Sequence, residues 1–271
     1  MNVSESKKGF TLIELLVVIA IIALLLAILM PSLQKVKVIA RTVICQSNLK
    51  GLTTGFEMYS QENSYKRFGA RNNGDDTNLY WMGKIAEYVG DENYGKQFEL
   101  GGKVDLLLCP SAKYEKFKVI PNLVVPGTGQ IGTAAVPWEW KRSSTMSTIG
   151  SYGMNGFMVF DWLYRNDFRE GLCYKNALSA PSDAPLMMCD RWTITWPTID
   201  PAVGPVAPPN LAGDQGISNP FDQICIDRHD KKINMIHRDL STATVPLEEL
   251  WNKPWHKNYQ RPATPPVLPS Q

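Results

Sequence analysis

Three groups of residues in this 271-residue chain have the means to do more than pack. The first is a single carboxylate, Glu14. It stands in the apolar run Phe10–Met30, where Thr11 is the only other polar side chain. A lone charge at a membrane-helix centre costs about 2.5–3.5 kcal/mol on insertion scales. Such a residue needs a partner of opposite charge, and the run holds none. The second group is five cysteines, Cys45, Cys109, Cys173, Cys189 and Cys225. Thiols pair as disulfides outside the cytoplasm, or ligate metals. There is no C-x-x-C, so a zinc ribbon is not expected, and an odd count leaves at least one thiol free or bonded to another subunit. The third group is Asp190, His229 and Asp239. An imidazole and carboxylates can ligate a cation. The alternative places His229 and Asp239 on adjacent strands of a hairpin turning at Asp230–Lys232, where an imidazole N–H to carboxylate bond would contribute about 1–3 kcal/mol. The hairpin reading is preferred, so no metal site and no effect of chelator on thermal stability are expected.

Other motifs lose their chemistry in context. Gly127-Thr128-Gly129-Gln130-Ile131-Gly132 fits G-x-G-x-x-G, but that fingerprint works only between a strand and a helix. Pro126 and Pro137 flank it and no suitably spaced acid follows, so it is expected to be a loop. Asn72-Asn73-Gly74-Asp75-Asp76 reads as a turn without the ligand spacing of an EF-hand. With three histidines and no Walker A, G-x-S-x-G or H-E-x-x-H, neither enzyme activity nor a cofactor is expected. A net charge of +2 gives no general affinity for nucleic acid.

The elements that must carry these residues begin with the apolar run. At 1.5 Å per residue, about 20 residues cross a ~30 Å hydrocarbon core. The run exceeds the 7–15 apolar residues usual in a secretory signal peptide, Glu14 interrupts it, and no A-x-A site follows. It is therefore expected to be retained. Lys7 and Lys8 before it nearly balance Lys35, Lys37 and Arg41 after it, so charge does not orient it. Helical spacing then continues. Leu33, Val36, Ala40 and Val43 form one stripe, and Cys45, Leu49, Leu52, Phe56 and Tyr59 a second. Pro31 should kink the rod. Gly51 and Gly55 each cost about 1 kcal/mol relative to Ala, so this half needs a packing partner, expected to be a sheet.

The remainder reads as β-rich with many turns, containing most of the 20 glycines and 19 prolines. Strands are expected at Val104–Cys109, Lys118–Val125, Ser151–Phe160, Leu186–Cys189, Trp192–Trp196, Gln223–Asp227, Lys232–Ile236 and Thr242–Val245. Pro197 to Pro220 should form a long surface loop, and Leu247–Trp251 a short helix entered at Pro246. The tail from Arg261 should be extended and mobile.

Lys7-Lys8-Gly9-Phe10-Thr11-Leu12-Ile13-Glu14 resembles the cleavage and methylation motif of type IV prepilins and type II secretion pseudopilins. A basic leader ends in Gly9, the apolar run begins at Phe10, and Glu14 is fifth after that junction. Pro31 falls where many pilins carry a helix-kinking proline. The resemblance implies cleavage after Gly9 by a prepilin peptidase/methyltransferase, N-methylation of Phe10, and assembly into a filament. It also gives Glu14 a partner: a neighbouring subunit's Phe10 amine, so that only the correct axial register buries both charges as a pair. The implied fold is α+β and pilin-like, with a long N-terminal helix packed on a C-terminal antiparallel sheet domain with long loops. In that fold a Cys45–Cys109 disulfide would tie the sheet to the helix, stabilising it by roughly 4 kcal/mol in the chain-entropy model.

A looser resemblance covers the soluble part. "CPSA" at Cys109–Ala112, "SYGMNGF" at Ser151–Phe157, "CDRW" at Cys189–Trp192 and the stretch from Arg228 are similar to pseudopilin-like proteins of planctomycete-type bacteria. Their H-x9-D-G signature would be His229 to Asp239, with Leu240 in the place of glycine. The expected organisation is a leader at 1–9, a membrane and assembly helix at 10–30, its amphipathic continuation at 31–62, a globular domain at 63–260 and a tail at 261–271. The expected function is that of a non-enzymatic, single-pass subunit of the inner membrane. Its partners would be copies of itself, other pseudopilins, the peptidase and a secretion assembly platform, with no nucleic acid. The alternative is a membrane-anchored module that binds polysaccharide through Trp138, Trp140, Trp192 and Trp196. Two or more exposed, coplanar tryptophans would favour it.

Overall fold

The computed structural model describes residues 11–69, 81–100, 102–113, 123–125, 129–141, 147–161 and 170–270. Lys7 to Phe10, the Asn72–Asp76 turn, and most of the Lys118–Val125 segment lie outside them. The described chain falls into two compact units, one ending at Ala40 and the other starting at Arg41.

One helix, Leu12–Glu62, runs for 51 residues. Leu, Ile, Val and Ala dominate its first half, and their side chains from Leu12 to Met30 are exposed. By length and composition this is a helix able to cross a membrane. The helix passes through Pro31, which has no N–H to offer the carbonyl of Ala27. Within the second unit the helix is one-sided. Cys45, Leu49, Leu52 and Phe56 are buried, at the expected spacings of four, three and four. Val43, on the other stripe, is exposed. The buried stripe needs the close approach that Gly55 permits: a Cβ there would lie 2.8 Å from Val89 Cγ2 and 3.3 Å from Tyr88 backbone. That explains a helix-weakening residue in the middle of a packed face.

The packing partner is a five-stranded sheet. Its order is Ile194–Thr195, Tyr152–Asn155, Pro185–Cys189, Lys232–His237, Thr242–Pro246. The first pair is parallel and the others antiparallel. Asn234 donates to Thr42 O and Gln46 to Thr244 Oγ1, which fixes the helix across the sheet. A second five-stranded sheet has the order Gly102–Lys103, Ser147–Gly150, Trp138–Lys141, Gly129–Gln130, Val124–Val125. Phe68–Gly69 pairs with Phe160–Asp161 as a separate ribbon. Aromatics fill the core, among them Trp81, Trp138, Trp251 and Trp255, with Phe221 stacked on Trp251 at 4.7 Å.

Four expectations change here. Val104–Cys109 is not a strand: Asp105–Leu107 form a 3-10 turn that buries Leu107. The expected strand Ser151–Phe160 ends at Asn155, because the Asn155 side chain accepts from Phe157 N and starts a helical turn at Gly156–Val159. Gln223–Asp227 is irregular after a 3-10 turn at Pro220–Gln223. The Pro197–Pro220 loop is not only surface: Leu211 is buried, and Gln215 O accepts from Arg191. Leu247–Asn252 does form a short helix after Pro246, as a 3-10 turn. In the tail, Arg261 pairs with Asp183 at 3.2 Å and Leu268 packs against the core.

His256 yields a pH prediction. Its ring is buried between Phe157 and Tyr259, and Nδ1 has no partner among the described residues. Burial lowers its pKa to about 4. The folded state thus refuses a proton that the unfolded chain accepts below about pH 6.5. Stability is complete above that pH and falls as the pH drops towards 4, by about 1–2 kcal/mol after allowing for partial solvation. Urea unfolding at several pH values should show this loss, and His256→Phe should reduce it. An unchanged pH profile in the variant would contradict the assignment.

Candidate functional site

The amino end of the long helix is closed by a reciprocal cap. Thr11 N and Thr11 Oγ1 both donate to Glu14 Oε2 at 2.8 Å, and Glu14 N donates to Thr11 Oγ1 at 3.3 Å. This is the capping box T-x-x-E, which satisfies helix donors that otherwise have no partner. The signal is present in the sequence as Thr11 to Glu14, but the carboxylate's isolation among apolar residues directs attention to charge instead. Both bonds to the carboxylate converge on one oxygen. Oε1 has no partner among the described residues, so the cap leaves Glu14 able to accept a cation. Pro31 lies well inside the same 51-residue helix, away from this cap.

The second site lies in the unit from Arg41 onward. Four side chains converge there: Cys45 on the helix, Cys109 just after the 3-10 turn, Cys189 at the end of the central strand, and His229 before the Lys232–His237 strand. All four are buried. Cys45 Sγ lies 3.5 Å from Cys189 Sγ, Cys109 Sγ 3.3 Å from His229 Nε2, and Cys189 Sγ 3.6 Å from the same nitrogen. The opposite face of the imidazole meets hydroxyls. Nδ1 is 3.3 Å from Thr42 Oγ1 and 3.4 Å from Ser111 Oγ. Asn234 Nδ2 stands 3.3 Å from Nε2. Burial pushes the Cys45 and Cys189 thiols up, whereas Cys109 is held well below the usual thiol range, against its own burial, by hydrogen bonds from Cys189, Cys45 and His229 and by the Arg228 charge.

Two buried arginines hold the backbone that presents these groups. Arg228 donates to Ser151 O at 2.6 Å, Asp190 O at 3.2 Å and Thr133 O at 2.8 Å. Arg191 donates to Gly132 O, Asp222 O and Gln215 O at 2.9, 3.0 and 2.6 Å. Between them, burial raises the Asp190 carboxyl to about 8, and its Oδ1 accepts from Trp192 N. A Cβ on Gly153 would lie 2.5 Å from Asp190 Oδ2 and 2.6 Å from Trp192 O, so only glycine lets the neighbouring strand pass this turn.

Comparisons bear on the amino-terminal site. A family model described as the prokaryotic N-terminal methylation motif matches residues 6–30. Over 60 residues, 22% of this chain, the sequence is 46% identical to the type IV wide pilus major component PilA4 of Thermus thermophilus. Both matches support a prepilin-type, pilin-like reading of the amino-terminal segment. The match spans 46% of that relative's length, less than half. No solved structure matches the chain. The pilin-like architecture is nonetheless evident, with one long N-terminal helix followed by a domain of largely antiparallel sheets.

The structure of this pilin-like chain regroups the residues singled out from its sequence. Cys45 and Cys109 do meet, but as free thiols beside Cys189 and His229 rather than as a disulfide. Cys45 and Cys189, whose sulfurs meet here, stand 144 residues apart in the chain. His229 and Asp239 do not pair. The His229 ring faces the thiols, and Asp239 accepts from Ser241 N and Oγ at 2.9 and 2.6 Å. The positive φ of 58° and 56° at Asp230 and Lys231 tightens the turn and swings His229 inward. Asp190 is adjacent in sequence to Cys189 yet occupied with Trp192. Leu240 adopts φ 63°, the left-handed conformation that suits a glycine, so the H-x9-D-G turn survives its replacement at some strain. Lys50 Nζ donating to Leu240 O at 2.7 Å helps hold it. Cys173 and Cys225 are buried outside this cluster.

The tryptophans do not form a platform. Trp138 and Trp196 are buried, and Trp140 and Trp192 meet each other at 60°. A signal for the cluster did exist: "CPSA", "CDRW" and the segment from Arg228 each contribute one of its members, and only the fold joins them.

Proposed function

We propose that this chain is a non-catalytic subunit cleaved between Gly9 and Phe10, N-methylated on Phe10, and polymerised through its N-terminal helix into a type II secretion-type filament. The supporting observation is an apolar helical segment from Leu12 to Met30 whose side chains are exposed among the described residues, which lies within a matched methylation motif and is headed by Glu14. Such a surface is stable in lipid before assembly and against neighbouring helices afterwards. Both environments fit a membrane-anchored filament subunit. In this reading residues 1–9 are the leader, 10–30 the membrane and assembly helix, 31–62 its amphipathic continuation, 63–260 the globular domain and 261–271 the tail. The globular domain faces away from the cytoplasm. Copies of the chain, other pseudopilins, the prepilin peptidase/methyltransferase and an inner-membrane assembly platform are its partners. Work is mechanical: subunits leave the bilayer and extend a filament that moves cargo. The buried and tilted tryptophans give the polysaccharide-binding alternative no support.

Gly9→Leu tests the reading. The variant should accumulate in membranes with its leader attached, and sheared surface fractions should contain none of it. Filaments at the unaltered level would contradict the proposal.

A further inference from the structure

We propose that Cys45, Cys109, Cys189 and His229 form a structural zinc site that staples the helix to the central sheet. The donor set is the first argument. Three thiols and an imidazole nitrogen suit a soft, tetrahedral ion and do not suit calcium or magnesium. Geometry is the second. With Zn–S of about 2.3 Å and Zn–N of about 2.0–2.1 Å, the edges of a tetrahedron come to roughly 3.5–3.8 Å. The closest pairs here are 3.5, 3.3 and 3.6 Å apart, and all four donor atoms lie within 4.8 Å of one another. Small rotamer adjustments bring four such donors around one ion.

Cysteine arithmetic is the third argument. Three thiols gathered at one buried point cannot all be consumed in disulfides. A Cys45–Cys189 bond would strand Cys109, and a Cys45–Cys109 bond would strand Cys189. Thiols are also weak hydrogen-bond donors, so mutual contact alone is poor compensation for burying them. One ion satisfies all four groups at once.

The outer shell is the fourth argument. A zinc-bound imidazole uses one nitrogen for the metal and gives the other N–H to an oxygen. His229 points Nε2 at the thiols, and its Nδ1 faces Thr42 Oγ1 and Ser111 Oγ. Asn234 Nδ2, also near Nε2, retains its bond to Thr42 O when the ring lone pair goes to the ion. Arg228 precedes His229 in sequence and binds Asp190 O beside Cys189, placing a guanidinium near an anionic three-thiolate centre. Four protein ligands leave no open position, so the site is structural rather than hydrolytic. Each ligand comes from a different segment, and the ion would hold together a domain many of whose strands are two residues long.

The test uses the full-length chain, purified in detergent from zinc-supplemented medium. Elemental analysis should find one zinc per chain, and the loading should disappear in Cys189→Ser and His229→Ala. His229→Cys should keep it, since a fourth thiolate replaces the imidazole; a role for His229 in hydrogen bonding alone gives no such rescue. Cobalt(II) added to the chelator-treated protein should give the intense visible bands of a tetrahedral thiolate site. Chelator should lower the melting temperature, with recovery on zinc and none on magnesium or calcium. Absence of both zinc and the cobalt bands from the folded chain would overturn the proposal, as would a native peptide map showing a disulfide between any two of the three cysteines.

Discussion

Glu14→Gln is expected to abolish filament assembly while leaving membrane insertion and the folded domain intact. Glutamine keeps the capping box, since its side-chain oxygen still accepts from Thr11, and it is easier to bury than a carboxylate. What it loses is charge. A neighbouring subunit's Phe10 amine, brought into apolar surroundings, would stand unpaired, and breaking a buried ion pair by removing one partner costs about 3–5 kcal/mol. Repeated at every subunit, that cost stops growth. Glu14→Ala should fail at assembly too, with a further loss at the helix end because the capping box is broken. The two variants separate charge from cap. Wild-type filament yield from Glu14→Gln would reduce Glu14 to a helix cap and refute the register role.

The second large effect is expected at Arg228. Its guanidinium is buried and serves the carbonyls of Ser151, Asp190 and Thr133 at 2.6, 3.2 and 2.8 Å, with Ala134 O at 3.4 Å. Each buried acceptor stripped of its donor costs about 1–3 kcal/mol. Arg228→Leu should therefore destabilise the domain by about 3–5 kcal/mol, a large share of the roughly 5–15 kcal/mol typical of a folded protein. Arg228→Lys should recover only part, because an ammonium cannot reproduce the planar fork that reaches several carbonyls. Denaturant unfolding of the full-length chain measures both. A loss below about 1 kcal/mol in Arg228→Leu would show that water replaces the guanidinium and that the carbonyls are not truly sealed.

The helix is legible in the sequence because its signal is local. Apolar residues from Phe10 to Met30 and the stripe Cys45, Leu49, Leu52, Phe56 need nothing beyond their own spacing, and the structure buries that stripe. The strands Pro185–Cys189, Lys232–His237 and Thr242–Pro246 are legible for a related reason, being runs of strand-forming residues set between turn residues. Val104–Cys109 is not, because a short apolar run buries itself equally well as a strand or as the 3-10 turn found at Asp105–Leu107. The thiol–imidazole cluster is illegible for a different reason. Cys109 and His229 are 120 residues apart, and Cys189 and His229 40. Their meeting depends on where four segments end in space, which no spacing rule encodes. His229 itself stands out in the sequence, but its nearest candidate partner there is Asp239, ten positions along, since a hairpin neighbour is what local reasoning can see. Two left-handed residues, Asp230 and Lys231, turn it the other way.

The measurement closest to the central claim is the intact mass of the protein extracted from membranes of the organism that makes it. A prepilin-type subunit predicts one mature species that begins at N-methylated Phe10 and retains the whole Leu12–Met30 helix. A chain still carrying Met1, or one cut beyond Met30, would contradict it.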